Sequence, residues 1–150
     1  MGFRLFRPAE IQQWDLDLEA AYRSGPRYAS SNPSDTDSLQ VRARMLLAAL
    51  GYTFDAAWQP RLSLEYYYAS GDDDPNDNKF DQYERLFGGR RTDLNNTSIH
   101  GPLTPANLSA PGFRLRVKPN DRLDGWFQYH AASLASARDR WVIAKRRDPL

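Results

Sequence analysis

The 150-residue chain contains no cysteine. Disulfide scaffolds, thiolate metal sites and cysteine nucleophiles are thereby excluded. It has no long apolar run: the longest aliphatic stretch is Met45 to Leu50, whereas a membrane-spanning helix needs about 20 apolar residues. It also lacks an excess of charge of one sign. Its 20 basic side chains face 19 acidic ones, for a formal charge of +1, so neither a nucleic-acid partner nor an acidic tail is expected. Hydrophobic residues at 41% and charged ones at 26% argue against wholesale disorder. The mean hydropathy of −0.72 implies a soluble protein only if membranes are crossed by helices, because transmembrane barrels alternate apolar and polar residues. Gly2-Phe3-Arg4-Leu5-Phe6-Arg7 lacks the apolar core of a secretory signal, and Arg146-Arg147-Asp148-Pro149-Leu150 reads as a chain cut in mid-course. An internal or carboxyl-side piece of a longer protein is the expectation.

Period-two alternation is what the sequence does have. Trp14, Leu16, Leu18, Ala20 and Tyr22 alternate with Asp15, Asp17, Glu19 and Ala21. That gives a strand one apolar and one mostly acidic face, whereas a helix would scatter both sets. From Leu39 to Phe54, one face carries Leu46, Ala48, Leu50, Tyr52 and Phe54, with Arg42 and Arg44 sharing its parity. Leu46 to Phe54 supplies most of the 9–11 residues, roughly, of a tilted membrane strand, and the two arginines would then sit at headgroup level. A helix over residues 41–50 competes, because Met, Leu and Ala favour helices. Leu62, Leu64, Tyr66 and Tyr68 oppose Ser63, Glu65 and Tyr67 on a third strand. Phe113, Leu115 and Val117 oppose Arg114, Arg116 and Lys118 on a fourth. Leu123, Gly125, Phe127, Tyr129 and Ala131 oppose Asp124, Trp126, Gln128 and His130 on a fifth.

The connections alternate in length. Residues 24–38 and 71–110 are long, polar and weakly periodic, while residues 55–60 and 119–121 are short, the second a tight turn with Pro119 at its second position and Asn120 at its third. In an up-and-down meander both long loops fall at one end, the pattern of long extracellular loops and short periplasmic turns in outer-membrane barrels. Aromatic residues bound the apolar faces: Trp14 and Tyr22, then Tyr52 and Phe54, then Tyr66 and Tyr68. Such rings suit the membrane–water boundary.

Several stretches, in order, resemble the alginate export family of Gram-negative outer-membrane porins: Leu18-Glu19-Ala20-Ala21-Tyr22, Leu50-Gly51-Tyr52-Thr53-Phe54, Pro60-Arg61-Leu62-Ser63-Leu64-Glu65-Tyr66, Tyr68-Ala69-Ser70-Gly71-Asp72, Leu86-Phe87-Gly88-Gly89-Arg90, Val117-Lys118-Pro119 and Leu134-Ala135-Ser136-Ala137-Arg138-Asp139. The resemblance implies a monomeric antiparallel barrel in the outer membrane of a Gram-negative bacterium. It also implies passive export of an anionic polysaccharide, an alginate-like polyuronate or another anionic solute, through an arginine-rich lumen. The expected fold is therefore all-β, an antiparallel up-and-down meander forming part of a transmembrane β-barrel over residues 1–150. Its strands, about five or six, are too few to close, since the smallest such barrels have about 8. Its partners would be the lipid bilayer, the anionic polysaccharide and the remaining strands of the parent barrel.

Arg114, Arg116 and Lys118 recur at spacing two and would line the lumen in a row, with Arg61 and Arg122, lowering the barrier for a polyanion. A solvated face of a soluble hairpin gives the same pattern. The tally is close: Arg23, Arg61, Arg114, Arg116, Lys118 and Arg122 stand against Asp15, Asp17, Glu19, Glu65 and Asp124, and the acids can pair with lumen arginines on adjacent strands or hold a loop inside the barrel. Asp72, Asp74 and Asn76 have the alternation of a calcium loop, but Asp77 and Tyr83 occupy its Gly and Glu positions. No cofactor is expected beyond weak calcium at residues 71–81. Asp15, Asp17 and Glu19 are spaced like glycosidase carboxylates but read as a wet strand face, and no enzyme is expected. His100 and His130 share no ligand spacing, Gly88-Gly89 is no phosphate loop, and the acceptor triplets at Asn95 and Asn107 read as chance. The alternative is a soluble antiparallel β domain binding carbohydrate through Tyr66, Tyr67, Tyr68 and Trp126, although adjacent tyrosines cannot stack on one sugar.

Overall fold

A computed structural model describes residues 1–28, 38–74, 76–84 and 106–139. These form a single sheet, with no helix among them. The strands are β1 (Gly2–Arg7), β2 (Trp14–Tyr28), β3 (Ser38–Thr53), β4 (Arg61–Ala69), the two-residue β5 (Lys79–Phe80), β6 (Leu108–Asn120) and β7 (Leu123–His130). The order is β1-β2-β3-β4-β6-β7, every pair antiparallel, with β5 pairing parallel beside the top of β3. Both expectations of the alternation hold: the chain is all-β and it is a meander. Among the described residues β1 and β7 have no outer neighbour, so the sheet is open. In lipid an open edge leaves backbone groups without partners, at several kcal/mol each by order of magnitude. The sheet is thus a part of a barrel wall.

The helix over 41–50 does not form. Trp14–Tyr28 pairs along one side of β3 and Arg61–Ala69 along the other, and two ladders outweigh the few tenths of a kcal/mol per residue that separate propensities. Two boundaries also shift. β2 runs on to Tyr28, past the expected start of the loop at Ser24, still paired with β3. Pro26 interrupts nothing, because Tyr22 donates its N–H to Met1 on the β1 side and Pro26, of the same parity, lies beyond the end of β1, where that side of β2 is free. At the other end, β6 begins at Leu108, inside the expected second loop. Residues 29–37, 75 and 85–105 of the two long connections lie outside the described residues. β1 was not foreseen as a strand, because Phe6 and Arg7 break its alternation.

The short connections lie together at the opposite end. In the β3–β4 turn, Phe54 donates to the carbonyl of Pro60 at 2.9 Å, with Trp58 and Gln59 at positive φ (70° and 44°). The β6–β7 turn is centred on Asp121 and Arg122, not on Pro119 and Asn120. The Asn120 side chain accepts the Arg122 N–H at 2.9 Å, which stabilises the turn one step later. A register irregularity between Val117 and Asn120 accompanies the bond from the Lys118 N–H to Trp58, 2.7 Å.

The two faces differ in kind. In-register rows of the convex face read Leu16, Leu50, Leu64, Phe113, Tyr129 and Leu18, Ala48, Tyr66, Pro111. Exposed apolar side chains are the rule there, including Trp14, Leu50, Leu62, Leu64, Leu115 and Phe127. Such a face is stable against hydrocarbon and would be a liability in water. Aromatics close its turn-side end: Trp14 lies 5.2 Å from Tyr52, and Tyr52 lies 5.0 Å from Phe54. The concave face holds the small core, Met45, Leu47, Tyr67, Ala69, Leu108 and Ala110, with Ala21 and Tyr83 packed on it.

Candidate functional site

The concave face is an array of ion pairs. Arg4 and Asp17, diagonal neighbours on β1 and β2, make two hydrogen bonds, Nε to Oδ1 and Nη2 to Oδ2, both 2.9 Å. Arg61 and Asp15 make a second fork, Nε to Oδ2 at 2.8 Å and Nη2 to Oδ1 at 2.5 Å. Asp15 is 5% exposed. Such planar pairs are the strong ones, because two charge-assisted bonds fix the geometry. Arg116 grips Asp124 through Nε at 2.9 and 3.0 Å, and through Nη2. Arg114 lies 3.2 Å from Glu65 Oε1 through Nε and donates Nη2 to Oε2 at 3.3 Å, and His130 Nε2 meets the same Oε2 at 3.2 Å.

Two of these pairs step over a strand. Asp15 is on β2 and Arg61 on β4, with Gly51 of β3 between them. Glu65 is on β4 and His130 on β7, with Gly112 of β6 between them. A Cβ at Gly51 would sit 2.7 Å from Asp15 Oδ2, and one at Gly112 would sit 2.7 Å from the His130 ring. Both glycines therefore supply the volume in which a side chain lies flat across the wall.

At the long-loop end the chain turns over this face after β5. Glu84 lies 2.9 Å from Arg27 and 3.6 Å from Arg23, the Arg27 guanidinium stacks 4.0 Å from the Phe80 ring, and Tyr83 covers the core cluster. Ser70 ties the segment down, its Oγ donating to Asp81 at 2.6 Å and its carbonyl accepting from Tyr83 at 2.8 Å. A pocket of about 290 Å³ lies below, with Asp15, Asp17, Arg61, Glu65, Arg114, Arg116 and His130 in its lining.

A family model for alginate export matches residues 1–148. The chain belongs to the alginate export family. No curated protein and no solved structure matches it. The family is one of transport, through outer-membrane β-barrels, and the resemblance carried by the separate short stretches extends over the whole chain. In this alginate-export chain one face of the sheet is apolar and exposed, and the other carries the paired charges.

The expected lumen residues are placed as follows. Arg61, Arg114 and Arg116 lie on the concave face, each engaged by a carboxylate. Lys118 shares their parity but reaches Asp121 of the turn at 3.1 Å. Arg122 is exposed in the turn, outside β7. The sequence did not indicate Arg4, Arg27, Glu84 or the His130–Glu65 contact. An isolated glycine inside each of two strands was the available signal for the crossing pairs.

No group of three or more His, Cys, Asp or Glu side chains that could hold a metal ion is found among the described residues. Asp74 Oδ1 accepts the Asn76 N–H at 3.1 Å, an Asx turn, and Asp72 accepts Ser136 Oγ through its carbonyl at 3.2 Å. Burial raises the Asp72 pKa, and nearby Asp139, Asp81 and Asp77 add to it, against the Asp74 N–H. The side chain of buried Asn107 binds Ser136 at 3.1 and 2.7 Å, which closes it to glycan attachment. His100, Asn95 and Gly88-Gly89 lie outside the described residues. Tyr67 is buried on the concave face while Tyr66 and Tyr68 point outward, so the three tyrosines make no common sugar platform.

Proposed function

We propose that this wall segment lines a water-filled path for passive movement of an anionic polyuronate, with the concave-face guanidiniums as its successive weak contacts. The observation behind this reading is the pairing itself. Arg4, Arg61, Arg114 and Arg116 are all on one face and all held by wall carboxylates. A polymer carboxylate can take the place of a wall carboxylate on a guanidinium and be displaced in turn by the next one. Exchange between equivalent partners keeps each site shallow, and conduction needs sites that are entered and left easily.

The wall carboxylates also set how strongly anions are favoured. The described concave face carries Arg4, Arg23, Arg27, Arg61, Arg114, Arg116 and Lys118 against Asp15, Asp17, Glu19, Glu65, Glu84 and Asp124, a surplus of one cation. This segment contributes a weak anion preference, with the remaining strands supplying the rest of the field. The segment from Lys79 to Glu84 narrows the mouth by folding onto Arg23, Arg27 and the core cluster.

The test is single-channel recording of the parent barrel in a salt gradient, with oligouronates added to one side. Current interruptions by an oligouronate, absent with a neutral oligosaccharide of equal length, support the reading. Equal interruption by both shows that the pore selects by size and not by charge.

A further inference from the structure

The arginines of the two faces are treated differently by the fold. Those described on the concave face have carboxylate partners. Arg42 and Arg44 stand on the convex face of β3, both exposed, and neither has a hydrogen bond or salt bridge from its guanidinium to another described residue. Asp77 is near enough for its pKa to be lowered partly by Arg42, but its first partner is Lys79, 3.0 Å away. Two guanidiniums at spacing two, on the lipid side and just above the apolar band, call for an anion from outside the chain.

The surface beneath them has the shape for the rest of such a ligand. Arg44 is in register with Tyr22, and Leu46, one step toward the band, is in register with Ala20 and Tyr68. Ala20 is the small residue of that row, flanked by Phe3 and Leu46. The result is a convex-side groove of about 720 Å³ lined by Phe3, Ala20, Tyr22, Arg44, Leu46 and Tyr68 among others. Arg44, Tyr22 and Tyr68 are shared with a polar pocket of about 300 Å³ that also takes in Arg42 and Ser70. Asp73 and Asp81 also line this pocket. An apolar groove running into a hydroxyl-bearing pocket with two guanidiniums that have no described partner matches an acyl chain with a phosphate at its head.

We propose that Arg42 and Arg44, with Tyr22 and Tyr68, form a binding site on the outer wall for a phosphorylated, acylated lipid of the outer leaflet, its phosphate on the two guanidiniums and one acyl chain in the Ala20–Leu46 groove. The site is independent of what passes through the lumen. It needs the assignment of the convex face to lipid and of the long-loop end to the outer leaflet.

Native mass spectrometry of the detergent-purified parent barrel tests this, with bisphosphorylated lipid A, the same lipid with its phosphates removed, and inorganic phosphate as probes. The bisphosphorylated lipid should be retained, and the other two should not. Each guanidinium near a charged lipid surface is worth roughly fivefold, so Arg42→Gln with Arg44→Gln should weaken retention about 25-fold. Arg116→Gln, on the other face, should leave it unchanged. Equal retention of the dephosphorylated lipid, or undiminished retention by the double variant, overturns the proposal. Competition by inorganic phosphate alone also overturns it, by reducing the site to an anion site without a lipid. The comparison of lipids on the unaltered protein decides the matter even if the double variant fails to fold. A failure here leaves the oligouronate result untouched.

Discussion

His130 on β7 reaches across Gly112 on β6 to Glu65 on β4, Nε2 to Oε2 at 3.2 Å. The contact joins strands that are not neighbours, and it exists because the strand between them presents no side chain at that position. Asp15 and Arg61 repeat the arrangement over Gly51. Crossing pairs brace the wall perpendicular to its ladders, at the height where Arg114 also reaches Glu65.

The first prediction concerns the bracing glycines. A valine at Gly112 would overlap the Tyr129 carbonyl and the His130 ring, and one at Gly51 would overlap the Arg61–Asp15 fork. Overpacking of this kind costs roughly 1–3 kcal/mol. Gly112→Val and Gly51→Val should each lower the temperature at which the folded barrel is lost on a semi-native gel. Gly125→Val is the control, since a Cβ there meets nothing closer than Val117 at 4.0 Å. An equal loss in all three would show that strand glycines matter for some reason other than these pairs.

The second concerns selectivity. Replacing Arg114 and Arg116 with Gln leaves Glu65 and Asp124 without their guanidinium partners on the lumen side. The field of the wall turns more negative, and the reversal potential in a salt gradient should move toward cations. An unchanged reversal potential would remove these residues from the conduction path.

The third follows from Asp72, whose carboxyl is held above the ordinary aspartate range by burial first and then by Asp139, Asp81 and Asp77. A raised pKa in the folded state means that the folded loop is favoured while Asp72 is protonated. That advantage is lost as pH rises through the raised value. Acidification should raise the protection factor of the Ser136 amide, its exchange measured against the intrinsic rate at each pH; this amide donates to Asn107 at 2.7 Å beside the Asp72 carbonyl. Asp72→Asn should raise that protection factor at neutral pH and flatten its pH dependence. A protection factor that falls on acidification in the unaltered protein would contradict the assignment.

The faces of the strands were legible in the sequence because a period of two commits every side chain to one side. Leu62, Leu64 and Arg114, Arg116 needed nothing more. What was not legible depends on register between distant strands. No local pattern tells Asp15 that Arg61, 46 positions on, will lie across a glycine from it, or that Glu65 will be shared by Arg114 and His130. The turn at Asp121 and Arg122 was displaced by a single side-chain bond from Asn120. β5 could not be read at all, since two residues carry no period, and its place follows from the edge of β3 left free above Ala69.

The last prediction tests the inward segment. Glu84 is the carboxylate that holds both Arg23 and Arg27, at 3.6 and 2.9 Å, and Tyr83 beside it seals the core cluster. Glu84→Gln keeps the side-chain volume and removes the charge. It takes one anion from the concave face and frees two cations near the mouth, so selectivity should shift toward anions, opposite in sign to the Arg114 and Arg116 variants. It also weakens the anchorage of residues 79–84, so single-channel conductance should rise with it. Tyr83→Ala separates the two effects, because it loosens the segment without touching the charge and should raise conductance at constant selectivity. If Glu84→Gln shifts selectivity while neither variant alters conductance, then Glu84 sets the charge of the mouth but the segment it anchors does not narrow it.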